Sequence, residues 1–195
     1  MATGISEHLE AVIADLAGEE VTIVEIIARL GNRAHGLAIL LFALPCTLPM
    51  PYGIPTAFGT AILLVSLQLL LWPGRSLWLP RFLGARTIAR ADLQRMLDKA
   101  LPLVLRLERL THPRHEWAAG ALGRTITAIL CAVCGFTMLL PIPFIGNIPP
   151  AIAATALAVG LLQRDGLFLM AGFVLFSAAM AILAAAWWGI LNGVT

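Results

Sequence analysis

The chain has 195 residues, of which 59% are hydrophobic and only 12% charged, far from the soluble average of about 25% charged, so it reads as an integral membrane protein. It is too short to add a large soluble domain to its apolar segments, and one domain over residues 1–195 is expected. The net charge of +2 hides an asymmetry, because the basic residues Arg75, Arg81, Arg86, Arg90, Arg95, Lys99, Arg106, Arg109, Arg114 and Arg124 fall together between two apolar regions. Such a connector suits anionic headgroups on the cytoplasmic side. It lacks the aromatic interleaving of a single-strand binder, so no nucleic-acid partner is expected.

The first residues are acidic, with Glu7, Glu10, Asp15, Glu19 and Glu20 ahead of any long apolar run, and no cleavable signal peptide is expected. From Ile5 to Leu30 apolar residues recur at helical spacing, interrupted near Gly18, which predicts one or two amphipathic surface helices. An apolar run from Gly36 to Leu48 follows; as a helix of about 20 Å it is short for a hydrocarbon core of about 30 Å. The next run, Ile54 to Trp72, is long enough at about 28 Å. Between them lies the proline-rich turn Leu48-Pro49-Met50-Pro51 leading to Gly53 and Pro55.

The same pattern returns later. Thr125 to Leu140 is apolar, Leu140-Pro141-Ile142-Pro143 leads through Gly146 to Pro150, and a second apolar run ends at Gln163. Pro55 to Gln68 and Pro150 to Gln163 share one spacing of 13 residues, the mark of a duplicated unit. The two turns differ in length, so the copies have diverged. As helices the second pair of arms would measure about 24 Å and about 21 Å, and neither clearly spans alone. Arg164, Asp165 and Gly166 break the pattern, and Leu167 to Leu191 supplies an unambiguous spanning segment ending near Trp187 and Trp188.

These elements define an all-α polytopic membrane protein with two repeated proline-turn, re-entrant hairpins, amphipathic surface helices and a C-terminal spanning helix. Repeat one covers about 5–72, the basic connector 73–124, repeat two 125–165 and the last helix 166–191. Arg33, Arg75, Arg124 and Arg164 flank the hairpins, which favours both dipping from one positive, cytoplasmic face. Inverted repeats that enter from opposite faces are the competing arrangement.

Irregular backbone at membrane depth survives only where protein covers it or it lines a cavity, so the turns are the candidate binding region. Pro49, Pro51, Pro55, Pro141 and Pro143 lack an N–H and leave fewer orphan donors there. Tyr52, Thr56, Gln68, Asn147 and Gln163 add hydrogen-bonding groups, each of which also has a plain structural use in turns or between helices. Helix starts near Pro55 and Pro150 would aim partial positive charge at a bound anionic or hydroxyl-rich group. Arg75, Trp78 and Arg114 are expected to anchor the connector at the headgroups.

Cys46, Cys131 and Cys134 have no nearby charge in sequence to stabilise a thiolate and read as small packing residues. The group His112, Arg114, His115 and Glu116 lacks a second ligand pair, so no metal is expected. With no nucleotide loop, nucleophile elbow or paired carboxylates in the apolar arms, neither a cofactor nor enzyme activity is expected.

Taken in order, LPCTLPMPYGIPTAFG over 44–59, Gln68, Gly74-Arg75, Trp78-Leu79-Pro80, Pro113-Arg114 and the turn from Leu140 to Asn147 resemble the ExoD family of bacterial exopolysaccharide-synthesis membrane proteins. The resemblance implies a multi-pass inner-membrane protein linked to exopolysaccharide production, with no agreed reaction. Duplication and broken helices then favour a transporter or translocation component. Its expected partners are membrane lipids, a polysaccharide precursor or lipid-linked intermediate, and a second copy in a homodimer. The alternative is a non-catalytic interaction or regulatory partner of the synthesis machinery, and an enzyme acting on lipid phosphate ranks last.

Overall fold

The computed structural model describes residues 20–22, 33–49, 53–74, 77–78, 87–89, 120–140, 146–163 and 165–193, with scattered positions between 25 and 30. Most of the expected amphipathic N-terminal helices and of the basic connector lie outside these residues. Within them are five helices: α1 Arg33–Ala43, α2 Ile54–Leu71, α3 Ala121–Leu139, α4 Ile148–Gln163 and α5 Gly166–Leu191. A 3-10 turn, Pro45–Thr47, follows α1.

Local chemistry sets the helix limits. Leu44 keeps helical dihedrals and its N–H still donates to the Leu40 carbonyl at 2.9 Å, but Pro45 has no N–H to carry the ladder further, so α1 stops at Ala43, short of the expected Leu48. At 11 residues it is about 16 Å long and does not cross a bilayer by itself. Gly53, at φ 95, precedes α2, and Pro55 sits in its first turn, where a missing N–H does no harm. The expectation for α3 needs correction at its start. It begins at Ala121 and includes Arg124, because an arginine in a terminal turn can carry its guanidinium to the helix end. The resulting 19 residues reach about 28 Å, enough to cross. Thus α2, α3 and α5 have spanning length and composition, while α1 and α4 are shorter apolar helices.

The helices pack as a closed ring, α1 on α2, α2 on α3, α3 on α4 and α4 back on α1, with α5 laid against α4. Pairing across the two hairpins is thus as much a part of the ring as pairing within them. A Cβ on Gly59 would lie 2.9 Å from the Gly135 carbonyl, and one on Gly135 would lie 2.7 Å from the Leu63 nitrogen. The start of α2 therefore meets the end of α3, the two run antiparallel, and both proline turns fall at one end of the ring. Gly36 near the start of α1 faces Ala158 and Leu162 near the end of α4, which places the beginnings of α1 and α3 at the other end, here called the base.

Small residues fill the interior: Ala151, Ala153, Ala154, Ala158, Cys131 and Cys134 are fully or almost fully buried beside Ile39, Ile62, Met138 and Leu157. The outside is as apolar as the inside, with Leu64, Leu71, Leu122, Val174 and Ile182 exposed. That inversion of size rather than polarity suits hydrocarbon, where close van der Waals packing, not water exclusion, holds helices together. The three cysteines are buried and unbridged, in keeping with packing roles.

One element departs from the all-helical expectation. Glu20–Thr22 pairs antiparallel with Thr87–Ala89, in the register Glu20↔Ala89, Val21↔Ile88 and Thr22↔Thr87. We term these β1 and β2. Their β-branched residues suit strands, but three-residue strands inside a segment of helical periodicity leave no period-2 pattern to read. At the end of β1, Thr22 and Glu25 form a reciprocal capping box: the Thr22 N–H donates to the Glu25 carboxylate at 3.0 Å and the Glu25 N–H to Thr22 Oγ1 at 3.3 Å.

Candidate functional site

The residues singled out from the sequence divide between the two ends of the ring. Pro49, Pro55, Thr56 and Asn147 belong to the turn end. Pro51, Tyr52, Pro141, Pro143, Arg75 and Arg114 lie outside the described residues. Gln68 and Gln163 do not join the turns: 13 residues of spacing put them about 20 Å further along their helices, at the base. There Gln68 Oε1 accepts the Trp78 backbone N–H at 2.9 Å, tying the chain after α2 to its own helix. Trp78 is itself exposed.

The turn end is shaped by its prolines. Pro55 and Pro150 are buried, as is Cys46, while Pro49, Gly53 and Thr56 face outward. Asn147 precedes α4 and its carbonyl accepts the first helical hydrogen bond, from the Ala151 N–H at 3.2 Å. In such an N-cap position the side-chain oxygen ordinarily accepts from the second or third helical residue. Here those residues are Pro149 and Pro150, which have no N–H to give. Asn147 Oδ1 is accordingly buried without a hydrogen-bond partner. The same prolines strip α4 of donors, so this helix start suits a hydroxyl or other donor better than the anion its dipole alone would favour.

Two more polar atoms inside the ring are orphaned. Ser66 on α2 is fully buried and its Oγ has no partner, and His35 on α1 is buried with Nδ1 unpartnered. Thr127 on α3, equally buried, instead donates to the Gly123 carbonyl at 2.7 Å. Burial, followed by the Arg124 guanidinium, lowers the His35 pKa below its ordinary value. His35 and Arg124 stand on α1 and α3, the diagonal helices of the ring, so this influence crosses its base. Sequence reasoning missed His35; its signal was a lone imidazole one residue before Gly36, at the edge of an apolar run. Among the described residues no group of three or more His, Cys, Asp or Glu is placed to hold a metal ion.

A ring of apolar helices with three spanning members, apolar on its outer surface, defines a polytopic helical membrane protein. The sequence pattern of the family described as "Exopolysaccharide synthesis, ExoD" matches residues 5–185, and the chain belongs to that family. It is 32% identical over 184 residues to Protein ExoD of Rhizobium meliloti (strain 1021), covering 92% of this chain and 76% of that protein. It is also 32% identical over 169 residues to an uncharacterized protein of Synechocystis sp., covering 85% of this chain and 78% of the relative. No solved structure matches the chain. Family and fold together make this a multi-pass protein of the bacterial inner membrane.

Proposed function

We propose that the protein serves exopolysaccharide synthesis as a transport or translocation component, moving a polysaccharide precursor or lipid-linked intermediate through the helical ring. The observation that carries this reading is the orphaned Asn147 Oδ1, an acceptor whose expected donors have been replaced by Pro149 and Pro150. A buried acceptor without a partner costs stability, typically about 1–3 kcal/mol, and a sugar hydroxyl would satisfy it. Membership in the ExoD family supports the link to exopolysaccharide. In this reading Pro49, Pro51, Tyr52, Pro55, Thr56, Pro141, Pro143 and Asn147 form the outer end of the path and Gln68 and Gln163 its cytoplasmic end. The hairpins are diverged repeats entering from the same face, and Arg75, Trp78 and Arg114 hold the connector at the headgroups.

The test is transport by purified protein in proteoliposomes, using radiolabelled lipid-linked sugars and soluble sugar phosphates. Wild-type protein moves at least one of them and Asn147→Leu, still folded, does not. Equal flux from both proteins, or none from wild type, rejects the reading.

A second reading, an interaction partner of the synthesis machinery, draws on α5. This helix packs mainly on α4, and Ala171, Ala178 and Ala185, at seven-residue spacing, are exposed along it. Small residues on one face let another helix approach closely, from a second copy or from a different membrane protein. Crosslinking through cysteines placed at Ala178 in native membranes separates these cases, and monomers alone would remove the support.

A further inference from the structure

Among the described residues of the five helices, every Arg, His and Asp stands at the base. Arg33 opens α1, His35 follows in its first turn, Arg124 lies in the first turn of α3, and Asp165 joins α4 to α5. The starts of α1, α3 and α5 also gather there, each with about half a positive charge from its peptide dipoles. At the start of α5 that charge is answered by a carboxylate, since Asp165 Oδ1 accepts the Leu167 N–H at 2.8 Å. Gly120, at the start of α3, has no side chain to cap it. His35 is 2% exposed and its Nδ1 is unpartnered. Among the described residues Arg124 makes no ion pair. Among the described residues, the Arg124 guanidinium and an idle imidazole are thus held at the same end of an apolar ring.

We propose that the base of the ring binds a phosphate group, gripped by Arg124 from α3 and His35 from α1 beneath the starts of those two helices. The phosphate could be carried on a lipid or lipid-linked sugar, or be free in solution. A guanidinium fork offers two parallel donors to such an anion. Free N–H groups at a helix start add more. A neutral imidazole supplies one further donor, and a bound dianion would favour its protonated form, adding a second. The inference does not rest on the transport reading, because the observation that carries that reading, the orphaned Asn147 Oδ1, lies at the opposite end of the ring and none of the residues used here enters it.

Binding to the full-length protein in a neutral detergent tests it, with dioctanoyl phosphatidic acid, dioctanoylglycerol and inorganic phosphate as probes. Phosphatidic acid should bind at least about tenfold more tightly than dioctanoylglycerol, and Arg124→Gln should weaken it by about tenfold or more, with Arg124→Lys between the two. If inorganic phosphate competes at equal affinity, the ligand is the free ion. If it fails to compete, the phosphate is lipid-borne. Nitrogen NMR of the His35 imidazole in wild-type protein provides a reading independent of any variant's folding, since its pKa should rise when phosphatidic acid is added. An unchanged imidazole, phosphatidic acid binding no tighter than dioctanoylglycerol, or an Arg124→Gln protein that binds like wild type would overturn the proposal.

Discussion

Gly59 on α2 and Gly135 on α3 meet backbone to backbone. A Cβ on Gly135 would lie 2.8 Å from the Gly59 carbonyl, and one on Gly59 would lie 2.7 Å from Met138 Cβ. Neither neighbour is the loose end of a flexible side chain, so an added methyl must push the helices apart. Gly135→Ala is expected to lower stability by about 1–3 kcal/mol, the usual cost of overpacking. Thermal unfolding in detergent measures this, and a variant as stable as wild type would mean that the two helices are not in contact at this point.

Gln68 anchors the chain beyond α2. Gln68→Leu removes the acceptor for the Trp78 N–H and should cost about 1 kcal/mol, whereas Gln68→Glu keeps an acceptor. Amide hydrogen exchange at Trp78 reads the bond directly. Exchange should accelerate in the leucine variant and stay slow in the glutamate variant.

The orphaned acceptors predict stability and function moving in opposite directions. Asn147 Oδ1 and Ser66 Oγ are buried with nothing to bond, so replacing them by apolar groups removes a desolvation cost rather than an interaction. Asn147→Leu and Ser66→Ala should melt at or above the wild-type temperature. On the transport reading Asn147→Leu should nevertheless lose flux. A large drop in melting temperature for both would show that these oxygens have partners in the folded protein.

His35 gives the stability a pH dependence with a definite sign. Burial, then Arg124, lowers its pKa from the ordinary 6.5, so the unfolded chain takes up the proton more readily than the folded one. Its contribution is therefore complete above about pH 6.5 and declines as pH falls through that value toward the folded pKa. Melting temperatures of wild type and His35→Gln between about pH 8 and 5 check this: the wild type should lose more than the variant on acidification.

Much of the helical layout was legible because hydrocarbon leaves long apolar runs bounded by polar residues. α2 and α5 fall within a residue or so of their expected limits, Ile54 to Trp72 and Leu167 to Leu191. The errors have local causes. Pro45 ended α1 before its apolar run did, and Arg124 looked like a boundary although a long cationic side chain tolerates a terminal turn. The strand pair joins residues far apart through three positions each, which no periodicity announces. Of the candidate site, the prolines and Asn147 could be read from composition. The separation of Gln68 and Gln163 from the turns follows from helix rise, and the approach of Arg124 to His35 depends on ring closure, which lies in the packing of four helices and in no local motif.

The shared end of the two proline turns is tested most directly by cysteine accessibility. With Cys46, Cys131 and Cys134 replaced by alanine, single cysteines at Leu48, Gly146 and Ala121 would be treated with a membrane-impermeant maleimide in vesicles of both orientations. Leu48 and Gly146 should react alike and from the side opposite Ala121. Labelling of Leu48 from one side of the membrane and Gly146 from the other would contradict the ring.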